Sequence, residues 1–203
     1  MWSESEFKGK AAKYFARAQD AADDEGQLIW SLLGLEFLLR APIARYNPIL
    51  LADASSGNGS SLLYAAGLEA GGSREPTSIQ ARIVIERLFL VASFTEDDKN
   101  DANFLLALRN REIHSSESVA LNASGTTWLP KFYRIVSKLT SSMGETPEDY
   151  FNDEFIKHAS GLVDEQDKRL TAKIGERIKH CVDFYSRLSK EEVTARRARV
   201  YVP

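Results

Sequence analysis

The chain has 203 residues, 43% hydrophobic and 27% charged, an ordinary globular balance that supports one sizeable core. Its net charge of -3 excludes a broad cationic field for nucleic acid and leaves only local basic patches for such contacts. A single cysteine, Cys181, excludes an intrachain disulfide and a thiolate zinc site, and His114, His158 and His180 form no paired ligand spacing. The expectation is one domain over residues 1–203, in a reducing compartment, with no metal and no cofactor.

The first residues, Met1 to Lys8, are polar and acidic where a secretory signal would need a basic start and an apolar run. A cytoplasmic location follows, so the sequons at Asn58 and Asn122 have no glycosylating compartment to act in. Phe7, Ala11, Tyr14, Phe15, Ala18 and Ala22 recur at helical spacing, predicting an amphipathic helix that closes near Gly26. The next helix, about Gln27 to Arg40, is apolar nearly all round. Its most hydrophobic part, Leu28 to Leu39, carries Glu36 and then meets Arg40 and Pro42, too short and interrupted to span a bilayer. It reads as a helix buried in protein, followed by a short piece bent by Pro42 and Pro48.

Gly/Ser-rich loops at Ala54 to Ser60 and Ala70 to Pro76 flank a short helix around Leu62 to Leu68. Gly57-Asn58-Gly59-Ser60 lacks the Lys-Ser/Thr end of a phosphate loop and follows no strand. Thr77 is a candidate cap for a helix to about Ser93, with Ile79, Ile83, Glu86 and Leu90 along one side. Thr95-Glu96-Asp97-Asp98 is a second capping signal with an acidic first turn. After a polar loop from Ser115 to Thr127, the residues Trp128, Phe132, Val136, Leu139 and Met143 predict a helix entered at Pro130, and a turn follows at Gly144 to Pro147. The last long helix carries an apolar stripe, Leu170, Ile174, Ile178, Cys181, Tyr185 and Leu188, expected to pack, with Cys181 a core thiol. A neighbouring stripe, Arg169, Lys173, Arg177 and His180, is expected to face solvent or a polyanion. Arg196, Arg197 and Arg199 precede a tail, Tyr201, Val202 and Pro203, with no evident stop signal, as in the N-terminal part of a longer protein.

The chemistry-bearing residues lie on the helix from about Glu96 to Ile113. Ala102, Leu105, Leu106, Arg109 and Ile113 take the spacing of a buried stripe, so Arg109 stands where a bundle wants a leucine. A guanidinium there must be paired, reach solvent or line a polar cleft, and Glu112 is the carboxylate at hand. Asn110 and His114, four apart, share another face and can converge on one bound group. At 100° per residue Arg109 and His114 are about 140° apart around a continuous helix. Either the helix breaks before His114, or a second subunit completes the site.

Leu108-Arg109-Asn110-Arg111-Glu112-Ile113-His114 resembles the signature of the HEPN superfamily: an Arg, a polar residue, a short spacer, then His at a helix end. The Leu-rich run from Trp30 to Asp53, ending Asn47-Pro48-Ile49-Leu50-Leu51-Ala52-Asp53, is also similar to bacterial HEPN-containing proteins. The resemblance spans Gln27 to about Leu188, though its sharp part is the motif alone. It implies an all-α antiparallel bundle of about six or seven helices, dimerising through the motif-bearing helices into a metal-independent RNA-cleaving site. By position, Arg109 would hold the phosphate and stabilise the pentavalent transition state, His114 would transfer protons, and Asn110 would orient His114 or the scissile group. Arg111, Arg169, Lys173 and Arg177 are candidate contacts to the RNA backbone. The resemblance also implies a role in stress or phage defence, with RNA as substrate or ligand and an antitoxin or regulatory partner.

Three readings stay open. One is this homodimeric ribonuclease; another is a non-catalytic HEPN module that binds RNA or a nucleotide, or dimerises a larger protein. The third is a helical adaptor for protein partners, which predicts an exposed apolar groove and indifference to Arg109 substitution.

Overall fold

Short polar side chains set the helix starts. Ser3 opens α1 (Glu4–Gln19) with a reciprocal capping box, its hydroxyl accepting from the Glu6 amide while the Glu6 carboxylate accepts from the Ser3 amide. Asp23 caps α2 (Asp24–Leu38) by accepting from the Gly26 amide. The computed structural model describes residues 2–55, 59–68, 76–115 and 124–200, so Asn58, Asn122 and the tail from Tyr201 lie outside the described residues. Two compact units divide the chain, Met1–Val163 and Asp164–Pro203. Among the described residues the architecture is all-helical, with one isolated antiparallel bridge between Ala52 and Ser78.

In the first unit α1 packs along α2, and Gly34 lets the two backbones approach. A Cβ at that position would stand 2.4 Å from the ring of Phe15. Phe7, Ala11, Phe15 and Ala18 are buried as the spacing predicts, but the helix ends at Gln19 and Ala22 is exposed beyond it. The segment Asp24–Tyr46, 23 residues containing an 18-residue window of mean hydropathy 1.3, is by length and composition enough to cross a membrane, and 67% of that window is buried inside the bundle. It comprises α2 and the short α3 (Ala41–Tyr46), with Pro42 in the first turn of α3. Pro48 opens a 3-10 turn, Pro48–Leu51, and α4 (Ser60–Ala65) follows.

The next helix departs from expectation. Thr77 does not cap it: α5 (Ala81–Val91) starts after Gln80, because residues 77–79 run extended and pair with residues 51–53. Its buried face is Val84, Ile85 and Leu88, while Ile83 and Leu90 are exposed. By contrast Thr95 caps α6 (Glu96–His114) through a box with Asp98, as its acidic first turn suggests.

The helix α7 (Gly125–Met143) buries Trp128, Phe132, Val136, Leu139 and Met143 as predicted, but it begins a turn and more before Pro130, which sits buried inside the helix. Gly144, at φ 77°, closes it in the left-handed conformation. Ion pairs Asp98–Lys138 and Asp101–Lys131 clip α6 to α7. The core centres on rings: Phe15, Phe132, Phe151 and Phe155 meet edge-on, tilted or stacked, with centroids 4.4 to 6.4 Å apart. Phe151 and Phe155 arrive with the start of α8 (Asp153–Ser186).

The second unit holds the rest of α8 and α9 (Lys190–Val200). Ser189 and Glu192 form the polar box that starts α9, and the Arg196 guanidinium lies 5.0 Å from the Phe184 ring centroid. The stripe expected to pack is exposed: Leu170, Ile174, Ile178, Tyr185 and Cys181 all face solvent. Cys181 is therefore not a core thiol.

Candidate functional site

Arg109 stands on the inward side of α6 two turns after Ala102, a position where an aliphatic side chain would complete the stripe. Its side chain is 17% exposed. The carboxylate that meets it is Glu36 of α2, far away in sequence, rather than a contact predictable from the nearer Glu112. Glu36 also pairs with Arg40, four residues on at the junction of α2 and α3, at 3.3 Å. One carboxylate thus lies between two guanidinium groups in the seam between α2 and α6.

Arg40 is the more deeply held of the two. It is buried, donates to the backbone carbonyls of Glu36 at 2.6 Å and Ile79 at 3.4 Å, and burial pushes its pKa down to about 10. Burial lowers that of Arg109 as well. Both groups stay cationic at neutral pH, so the cluster carries a net positive charge around Glu36.

The Arg109 guanidinium divides its donors. One terminal nitrogen pairs with Glu36, the other donates to Asn110 Oδ1 at 2.9 Å, and Nε is buried with no hydrogen-bond partner. Arg109 and Asn110 form part of the wall of a polar cleft of about 480 Å³. Glu36 of α2, Arg40 just before α3, Ser78, Gln80 and Arg82 around the start of α5, and Asn103 of α6 complete the polar lining. Counting Arg40, Arg82 and Arg109 against Glu36, the lining is cationic, which suits an anionic ligand.

His114 is not in that wall. The helix runs unbroken to His114, so the break before it does not occur, and the side chain is exposed in the last turn, where the helix dipole favours a cation. Ile113, expected on the buried stripe, is 47% exposed, and Leu108 is buried in its stead. One copy brings Arg109 and Asn110 together but does not bring His114 to them. Arg111 is exposed on the last turns of α6. Arg169, Lys173 and Arg177 are exposed in the second unit, where Arg169 pairs with Glu165.

Glu36, Arg40, Ser78, Gln80, Arg82 and Asn103 are the polar cleft residues that the motif did not single out. The signal for the first two was present: a Glu and an Arg four apart in an otherwise apolar helix pose the same problem as Arg109 in its stripe. A larger depression of about 810 Å³ lies along α7; of its charged residues Asp98, Arg134 and Lys138, the first and last pair with each other. Among the described residues no group of three His, Cys, Asp or Glu side chains is arranged to hold a metal ion. Comparison with protein-family models, with curated proteins and with solved structures finds no match to this chain.

Proposed function

We propose that this chain is a cytoplasmic, metal-independent endoribonuclease of the HEPN type, acting as a homodimer. The observation that supports the reading best is the division of the motif within one copy: Arg109 and Asn110 line a cationic cleft, and His114 lies exposed on another side of the same helix. About 140° of helix rotation and about 7.5 Å of rise separate Arg109 from His114. A phosphate at one Arg109 would meet His114 only from the other copy.

In that composite site Arg109 binds the scissile phosphate through the donors that Glu36 and Asn110 leave unused, and Glu36 fixes the fork's orientation. The RNA 2'-oxygen attacks phosphorus as its proton passes to a base. The bond to the 5'-oxygen breaks, and that oxygen takes a proton from an acid. The products are a 2',3'-cyclic phosphate and a 5'-hydroxyl. His114 serves as one of the two proton carriers, since histidine as a side-chain type exchanges protons near neutrality. Arg111, Arg169, Lys173 and Arg177 add contacts to the RNA backbone. By the same resemblance, the setting is bacterial stress or phage defence, with an antitoxin or regulatory protein as partner.

Cleavage of a mixed RNA pool in EDTA tests this, using wild type, Arg109→Lys and His114→Ala. The expected result is cleavage by wild type that falls by about 10²-fold or more in each variant, the scale of a lost acid-base or charge-stabilising group. Mixing the two inactive variants should restore part of the activity, because one of the two sites in a heterodimer recovers an intact Arg109 and an intact His114. Intact RNA with a folded wild-type dimer overturns the reading.

The absence of His114 from the cleft wall favours a second reading, a non-catalytic module in which Arg40, Arg82 and Arg109 bind the phosphates of RNA or of a nucleotide. That reading expects binding that weakens in Arg109→Lys and is unchanged in His114→Ala.

A further inference from the structure

The exposed stripe on α8 carries the next inference. Thr171, Ile174, Ile178, Cys181 and Tyr185 alternate steps of three and four residues, and Leu188 continues the pattern just past the helix end. Steps of three and four are the spacing of a coiled-coil seam. Leu170 and Val182 widen the stripe to about 120° of the helix surface. These side chains are in the open: Leu170 is 57% exposed, Ile178 59% and Val182 61%. A helix bearing such a face gains most of its stability from covering it.

We propose that this face of α8 pairs with the same face of a second copy of this chain. Two observations select that occupant. Between Asp164 and Leu188 the helix carries six Lys or Arg and five Asp or Glu side chains. This near-balance lacks the basic excess by which an amphipathic helix adheres to anionic lipid, and it lets two identical helices lie together without net repulsion. The size also fits. Side chains such as Leu170, Ile174, Ile178, Val182 and Tyr185 at half exposure leave on the order of 100 Å² each, so a symmetric pair buries about 1,000 Å², the threshold for a specific interface.

The pairing surface comprises residues 170–188 and excludes the motif helix α6, so it stands independently of the ribonuclease reading while supplying the second copy that reading needs. Cys181 lies near the middle of the stripe, and pairing in either direction brings two Cys181 thiols within reach of a short bismaleimide.

The test is the solution mass of the full chain at tens of micromolar, for wild type, Ile178→Asp and Leu90→Asp. Leu90 is an exposed apolar residue on α5 and serves as the control. The expected result is a dimer for wild type and Leu90→Asp, and a monomer for Ile178→Asp in which the melting of the first unit is unchanged. Bismaleimide should join Cys181 to Cys181 in wild type and lose most of that product in Ile178→Asp. A monomeric wild type overturns the proposal, as does a dimer that survives Ile178→Asp without Cys181 cross-linking. A dimer with these properties that cleaves no RNA leaves the pairing intact and removes only the ribonuclease reading.

Discussion

The helix α7 and the second half of α8 carry stripes of the same kind. Trp128, Phe132, Val136 and Leu139 follow one another at three and four residues, as do Ile174, Ile178, Cys181 and Tyr185. In α7 that face is fully buried against α1, α2, α3 and α6; in α8 it meets solvent. Periodicity therefore states which residues share a face, and the rest of the chain determines whether anything covers it. The covered face belongs to the fold, whereas the open one is the face that the proposed pairing would cover.

Substitutions can break this comparison. Phe132→Ala removes a fully buried ring from the aromatic cluster and should cost about 3–5 kcal/mol in denaturant unfolding; a loss under about 1 kcal/mol would mean the cluster is not the core. Glu36→Gln leaves Arg40 and Arg109 without their shared carboxylate, and the expected loss is about 2 kcal/mol, reduced from the fully buried case because the Glu36 side chain is one-fifth exposed. A neutral result there would show that the two guanidinium groups reach solvent unaided.

Asp98→Asn should cost about 1 kcal/mol, since it removes both the capping carboxylate of α6 and the clip to Lys138. Burial alone would raise the Asp98 pKa, but hydrogen bonds from Lys138 and Thr95 outweigh it and hold the group below its ordinary 3.8. Its stabilising contribution is thus present above about pH 4 and is lost as pH falls through the folded-state value. Urea midpoints from pH 2 to 6 should show a shallower acid slope for Asp98→Asn than for wild type. The smallest effect is expected on α8: Ile174→Ala should change the melting of the first unit by less than about 0.5 kcal/mol, even where it weakens association.

Much of the fold was legible in the residues because local chemistry decides it. Thr95 with Asp98 starts α6, and the stripe of α7 was readable to its last member, Met143. The misreadings came from long-range contacts. Residues 77–79 look like the start of a helix but pair with residues 51–53, so α5 begins later and turns a different face inward. The same holds at the site. Arg109 was legible as a misplaced charge, but its partner Glu36 is distant in sequence, and only the packing of α2 on α6 brings them together. Ile113 was assigned to the core by spacing, yet that end of α6 is uncovered. His114 was read as converging with Asn110 on one bound group, but its side chain is exposed at the helix end and lies outside the cleft wall. Cys181 was misread with its stripe, because periodicity groups residues on one face without saying whether anything covers it.

The unbroken run of α6 to His114 has one more consequence. A continuous helix is a rigid spacer, and it keeps Arg109 and His114 of one chain out of each other's reach. If two copies share the chemistry, no rearrangement inside a lone chain can switch it on. Below the dissociation constant, the rate would rise with the square of the protein concentration, so dilution alone would act as the off switch and abundance as the dial.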